Sequence, residues 1–292
     1  MTKPLGVFTE FASLTTAEQE VVHAAWQGAR NAQNYNLCFT SDFPVGAGIL
    51  ASNAEGKTRL FSGCNVENKW FPAGICAERN AATTAALEGY THFDCVAVVC
   101  LRRPGGSPCG LCRQVLFQFG QEATLLNIVD RQSNVRRGRV SFLLPAAKGK
   151  IVAFKDLDLT EKRILKRLYV LKSRSHVPYS KRERAAFFVA ENGAGMVRTF
   201  AGVSEDNASF GASVLAETVA LRSARAAGYC GCIRLYATVE DLNAPNPIEG
   251  ECLQVLREFA KNPEIVLVSP ELSILRTTLS KLLPDSFGPE NL

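Results

Sequence analysis

ICAERNAATTAALEGY, residues 75–90, lies without a gap on VLAETVALRSARAAGY, residues 214–229, and this pairing decides how the chain is built. Glu78 falls on Glu217, a shift of 139 residues, and the same shift holds upstream, where Gly56, Arg59, Phe61 and Gly63 meet Gly195, Arg198, Phe200 and Gly202. PCGLCRQVLFQFG (108–120) meets IEGECLQVLREFA (248–260) one residue later, and Leu143-Leu144-Pro145 meets Leu282-Leu283-Pro284 back at the first shift. A match this long with one small change of register is a tandem duplication. The sequence therefore predicts two domains of one kind, 1–150 and 151–292, joined around Ala146–Lys155.

Each copy carries the same order of elements. Thr15 and Glu18 have the spacing of a capping box, which predicts a helix running to about Asn34. Strand-like runs follow at Val45–Ala51 and Thr58–Ser62, then a helix from about Ala73 to Gly89 with Cys76 and Glu78 in its first turn. DCVAVVCL (94–101) is apolar throughout, as a strand buried on both faces must be. A Gly/Pro loop leads to a helix opening at Pro108, then a strand at Thr124–Val129. Helices alternating with buried strands predict a sheet covered on both faces.

The chemistry sits in one copy. Cys76, Cys109 and Cys112 can hold a zinc ion and leave its fourth position open, as a catalytic site requires. Glu78 stands two residues from the first ligand, within reach of a water on that metal but outside the ligand set. Helix N-termini favour the thiolates a metal needs, and the i, i+3 spacing puts Cys109 and Cys112 on one face. Three thiolates leave the unit negative, and Arg79 is placed to donate hydrogen bonds to the ligand sulfurs and offset that charge. The plainer reading is a structural zinc site completed by Cys64, Cys95 or Cys100, but such sites come as two close pairs, whereas here a lone Cys stands beside a Glu.

In the second copy Cys76 is matched by Leu215, Cys109 by Glu249, Asn65 by Ser204 and Glu67 by Asp206, so it is expected to be non-catalytic although Glu217 remains. The first copy has its own loss: its LLPAAKGKI stands against LLPDSFGPE, and Lys148 stands where the second has Phe287.

Composition fits an ordinary globular protein of 292 residues, 47% apolar and 21% charged, with a net charge of +5 that calls for no nucleic acid. MTKPLGVFTEFASLTTAEQE holds no long apolar stretch, which argues against a signal peptide or anchor. Ten cysteines without a secretory signal suit a reducing cytoplasm, with thiols kept free for metal. The basic run EKRILKRLYVLKSRSHVPYSKRER (161–184) reads as a solvated helix face, with RNA contact as the alternative.

SDFPVGAGIL (41–50), GCNVEN (63–68), CAERNA (76–81), PCGLCRQ (108–114) and LLPDSFGPE (282–290) together resemble the motifs of the cytidine deaminase family, in order and in spacing. The resemblance implies a three-layer α/β/α sandwich around a mixed five-stranded sheet, here in tandem. It implies one Zn2+ per chain on Cys76, Cys109 and Cys112, with Glu78 as proton shuttle. Asn65 and Glu67 would hold the ribose 3′-hydroxyl, with Phe43, Ala77 and Phe287 also at the nucleoside. The implied activity is hydrolytic deamination of cytidine and 2′-deoxycytidine to uridine and 2′-deoxyuridine, a step of pyrimidine salvage. Single-domain members resemble homotetramers in which a C-terminal aromatic reaches a neighbour's site, so a homodimer imitating four subunits is expected, with Phe287 closing a zinc site. Two-domain members commonly use His as first ligand, so Cys76 marks this chain as similar to a separate duplication of the single-domain type. A deaminase acting on cytosine in RNA or DNA is the rival enzyme, disfavoured because a carboxylate near the 3′-oxygen repels a phosphate there. A non-catalytic zinc or RNA-binding scaffold is the rival of another class.

Overall fold

The structure, a computed structural model, describes residues 6–291, so the outer ends of the expected domains 1–150 and 151–292 lie outside the described residues. The chain forms two compact units: residues up to Leu144 with the segment from Pro284 onward, and Pro145–Leu283. The last residues were expected with the second copy but group with the first.

In the first unit the elements are β1 (Val7–Thr9), α1 (Thr16–Asn34), β2 (Val45–Ser52), β3 (Thr58–Cys64), α2 (Ala77–Leu87), β4 (His92–Cys100), α3 (Gly110–Gly120), β5 (Thr124–Ile128) and β6 (Val135–Arg139). The sheet runs β1-β6-β5-β4-β2-β3, with β4 and β5 parallel and every other pair antiparallel. The sheet is thus mixed as expected but has six strands instead of five. The extra strand is β1, three residues pairing Val7–Thr9 with Val135–Arg137 at the edge, too short to show a period in sequence.

Alternation along β4 makes the three layers. Cys95, Ala97 and Val99 pack with Val21, Val22, Ala25 and Ala29 of α1 on one face. Val96 and Val98 pack with Ala77, Ala81 and Ala85 of α2 and Leu116 of α3 on the other. This is why DCVAVVCL shows no polar face. The capping box forms as the sequence predicts: Glu18 N donates to Thr15 Oγ1 at 3.3 Å and Thr15 N to the Glu18 carboxylate at 3.0 Å.

The two thiol-bearing helices begin later than the sequence suggests. Phe71–Ala73 form a separate 3-10 turn, Gly74 is extended, and Ile75 and Val66 exchange backbone hydrogen bonds at 3.0 and 2.9 Å. That bridge holds the chain straight up to Cys76, which becomes the N-cap of α2, and Cys109 is likewise the N-cap of α3. Gly63 lets α2 seat directly on β3: a Cβ there would lie 2.4 Å from Ala77 O and 2.5 Å from Ala81 N.

The second unit repeats the plan with β7 (Lys150–Val152), α4 (Leu159–Lys172), β8 (Ala185–Glu191), β9 (Val197–Val203), α5 (Ala216–Ala226), β10 (Gly231–Thr238), α6 (Gly250–Phe259), β11 (Glu264–Val268) and β12 (Ile274–Thr278). Its order, β7-β12-β11-β10-β8-β9, is the first unit's order strand for strand, with β10 and β11 the parallel pair. Gly202 repeats the close approach of Gly63, at 2.1 Å from Ala216 O. No helix among the described residues is long and apolar enough to cross a membrane.

Candidate active site

The three thiols expected at the metal come together in the first unit. Cys76 Sγ lies 3.9 Å from Cys109 Sγ, and Cys109 Sγ lies 3.5 Å from Cys112 Sγ. A tetrahedral zinc with Zn–S bonds of about 2.3 Å sets its ligands about 3.8 Å apart, so the donor set and its spacing fit a Zn2+ ion. Among the described residues this is the one group of three or more such ligands. Cys64, Cys95 and Cys100 are not part of it, and Cys95 and Cys100 are buried in β4.

Both N-caps point the positive ends of helices at the cluster. Hydrogen bonds with Cys112 and Cys76 hold the Cys109 thiol well below its ordinary pKa. Arg79, in the first turn of α2, is half-buried. Burial opposes its charge, but Cys76, Cys112 and Cys109 raise its pKa above the ordinary value. One guanidinium nitrogen reaches Gly74 O at 3.4 Å, and the buried Nε has no hydrogen-bond partner.

Glu78 lies in the first turn of α2, 4% exposed. Burial, and after it the neighbouring Cys76, pushes its pKa up to about 7. A carboxyl poised there can both take and give a proton at neutral pH.

Cys76, Glu78, Arg79 and Cys109 line a cavity of about 470 Å³, with Phe43, Asn65, Glu67 and Phe287 among its other walls. The rings of Phe43 and Phe287 meet edge to face, centroids 6.0 Å apart. Ala77 does not line the cavity, because its side chain is fully buried in the core under β3. A larger hollow of about 620 Å³ beside Trp26, Arg30 and Arg131 contains no thiol and no acid.

Asn65 and Glu67 reach the cavity already engaged. Asn65 Oδ1 accepts from Val45 N at 2.8 Å and Cys38 Sγ at 3.2 Å, while its amide donates to Phe43 O at 2.9 Å. Asn65 thus fixes the backbone on both sides of Pro44 and with it the Phe43 ring. Glu67 accepts from Thr40 N at 2.6 Å, Ser41 N at 3.2 Å and the Ser41 hydroxyl. In the second unit Asp206 binds Tyr179 N, Ser180 N and Ser180 Oγ in the same way, at 3.0, 2.7 and 2.9 Å. A contact kept where the thiols are lost is a loop clamp first.

Arg113 is the residue that sequence reasoning left without a role. It is 0% exposed, and its guanidinium donates to Pro108 O (2.8 Å), Leu143 O (2.9 Å), Ser107 Oγ (3.1 Å), Pro284 O (2.6 Å) and Asp285 O (2.7 Å). Burial draws its pKa down to about 10, which leaves it charged at neutral pH. Arg103 adds a bond to Glu290 O at 2.9 Å. These bonds tie residues 284–290 to the first unit and set Phe287 in the cavity wall. The signal was present: Arg113 is matched by Leu253, so only the first copy carries the clamp.

Comparisons with known proteins agree with the geometry. Residues 15–127 match the family described as the cytidine and deoxycytidylate deaminase zinc-binding region. A cytidine deaminase of Sporosarcina psychrophila is 36% identical over 110 residues, 38% of this chain and 78% of that protein. A probable cytidine deaminase of Dictyostelium discoideum is 40% identical over 103 residues, 35% of this chain and 67% of that one. The crystal structure of cytidine deaminase from Burkholderia pseudomallei aligns with a TM-score of 0.38 at 33% identity, over 46% of this chain and all of that one. Identity of this order over two thirds or more of the curated relatives, with the thiol cluster inside the matched region, means that the chain belongs to the cytidine deaminase family.

Proposed function

We propose that the first unit deaminates cytidine and 2′-deoxycytidine hydrolytically, giving uridine or 2′-deoxyuridine and ammonia, and that the second unit does no chemistry. The observation that carries this reading is a buried carboxyl, Glu78, beside three thiols that fit a zinc ion, with Phe43, Phe71 and Phe287 in the wall of the adjoining cavity.

When bound by Cys76, Cys109 and Cys112, zinc supplies a Lewis acid that makes water a nucleophile at neutral pH. Glu78 accepts the proton that the attacking water gives up and passes it to N3 of the cytosine ring. The water oxygen bonds to the amino-bearing carbon, which becomes tetrahedral. Glu78 then takes the second proton from that new hydroxyl and gives it to the amine, and the C–N bond breaks to release ammonia and leave the carbonyl. Water supplies the new oxygen, so atoms balance without a further reactant. Phe43 and Phe287 hold the base and exclude solvent, and the second amide hydrogen of Asn65 and the Glu67 carboxylate face the ribose. Arg79 offsets the thiolate charge.

The second unit retains Glu217 and Cys252, but Leu215 and Glu249 replace two ligands, and Arg184 Nη1 bonds Glu249 at 2.8 Å. A guanidinium in that place favours an ion pair over a metal. Two chains are proposed to pair as a homodimer imitating four subunits, in the cytoplasm.

The test compares wild type with Glu78→Gln, recording zinc per chain and the loss of cytidine absorbance. The reading expects one zinc in each and turnover reduced by about 10²-fold or more in the variant. Zinc in both with no turnover of cytidine by wild type refutes it.

A further inference from the structure

We propose that the second unit holds a binding site for a pyrimidine nucleoside, which it retains without converting. The inference rests on the nucleoside reading of the first unit. A cavity of about 430 Å³ opens in the second unit, close in size to the 470 Å³ of the active-site cavity. Its walls come from segments that match the active-site walls in the repeat, 179–184, 204–206, 210–215 and Glu249. The loop at its mouth is clamped by Asp206 as Glu67 clamps its counterpart.

Its floor is different in kind. Arg184, in the place of Val45, is 6% exposed and lines the cavity, and its Nε–H has no hydrogen-bond partner. Ser204, in the place of Asn65, is 4% exposed and lines the same cavity, and its hydroxyl has no partner either. The two are neighbours, since Ser204 N donates to Arg184 O at 3.2 Å. Buried donors without acceptors are costly, and both belong to residues that line this one cavity, so a ligand that brings acceptors would relieve them. Glu249, bonded to Arg184, adds an acceptor beside them.

A donor pair next to a carboxylate matches the edge of a pyrimidine base, where a carbonyl oxygen or ring nitrogen lies beside an N–H. Charge excludes a phosphate: Arg182 and Arg184 are opposed by Glu205, Asp206 and Glu249 around the same cavity. A neutral nucleoside fits where a nucleotide does not. With Leu215 in place of Cys76 and Glu249 in place of Cys109, no metal site accompanies it, so binding is without turnover.

The experiment uses the zinc-loaded full chain and labelled uridine, which the enzyme does not consume, in equilibrium dialysis. Wild type is expected to bind two uridines per chain. Leu215→Trp, which fills the second cavity, is expected to bind one and to keep its cytidine turnover. Ser204→Ala removes one donor with little volume change and is expected to weaken one of the two sites about tenfold, on the scale of one buried hydrogen bond. One uridine per wild-type chain overturns the proposal and leaves the active-site reading standing. Two uridines unchanged in both variants also overturn it. No uridine at all overturns the nucleoside reading of the first unit together with this one.

Discussion

Phe287 and Phe43, 244 positions apart in sequence, meet edge to face in the cavity wall with centroids 6.0 Å apart and planes inclined at 62°. An aromatic pair of this geometry is worth about 0.5–1.5 kcal/mol beyond the area it buries. On the proposed reading of the first unit the pair belongs to nucleoside binding and not to metal binding. Phe287→Ala should raise KM for cytidine about 2- to 12-fold and leave zinc content unchanged. Deleting residues 285–292 should do at least as much. Unaltered steady-state kinetics in both would remove Phe287 from the site.

Arg113 acts on the same wall from beneath. Its bonds to Pro284 O and Asp285 O hold the tail, and three more hold Ser107, Pro108 and Leu143. Arg113→Lys keeps the charge but loses the fork, so several carbonyls lose their donor and stability should fall by about 2–4 kcal/mol. If Arg113 positions Phe287, the KM increase of Arg113→Lys should be absent in the Phe287→Ala background, because the wall is already gone. Additive effects on KM would make Arg113 a folding residue alone. The double-mutant cycle on KM separates the two.

How far the sequence reached follows from the range of the forces involved. The capping box, the doubly buried β4 and the Cys109–Cys112 spacing are local patterns, and each is legible in a window of a few turns. The duplication is legible because residues such as Gly63 and Gly202 answer the same close approach to a helix in both copies. What escaped is long-range or backbone-mediated. Arg113 binds carbonyls 171 and 172 residues away, and a carbonyl has no residue type to read. The start of α2 at Ala77 depends on the Val66–Ile75 bridge, which no helix propensity encodes. β1 and β7 gain their identity only from the strand ends they cover. The resemblance implies ribose contacts for Asn65 and Glu67, whereas their loop contacts are visible only once Ser41 and Phe43 are brought opposite them.

Arg79 offers a test of charge at the thiol cluster. Its guanidinium is held charged by Cys76, Cys112 and Cys109 against the cost of burial. Three thiolates on one divalent ion leave an excess negative charge, which weakens the ion as an acid, and a neighbouring cation restores part of that strength. Arg79→Gln should retain about one zinc per chain and lose about tenfold or more in kcat, with KM little changed. Metal analysis beside initial rates decides it: loss of zinc in proportion to rate would make Arg79 a residue of metal retention instead.

Glu18 ties the capping box to the sheet, and its ionisation gives the first unit a defined acid sensitivity. Burial alone would raise its pKa, but hydrogen bonds from the Thr15 backbone, the Arg137 guanidinium and the Thr15 hydroxyl prevail and hold it below 4.5. The carboxylate lies 2.8 Å from Arg137 Nε, and the Glu18 side chain is 10% exposed. A depressed folded pKa means that the stabilisation is fully present above the unfolded value near 4.5 and is lost as the pH falls through the folded value. Glu18→Gln removes the charge at every pH but keeps an amide oxygen for the Thr15 backbone. At pH 7 it should cost about 1–2 kcal/mol, the sum of a weakened cap and a lost charge-assisted bond. The cost should shrink in acid below the folded pKa, where the wild-type carboxyl is itself protonated and the two proteins converge. Urea midpoints for both proteins at pH 7 and below pH 4 check the sign, and a difference that grows in acid would contradict the assignment.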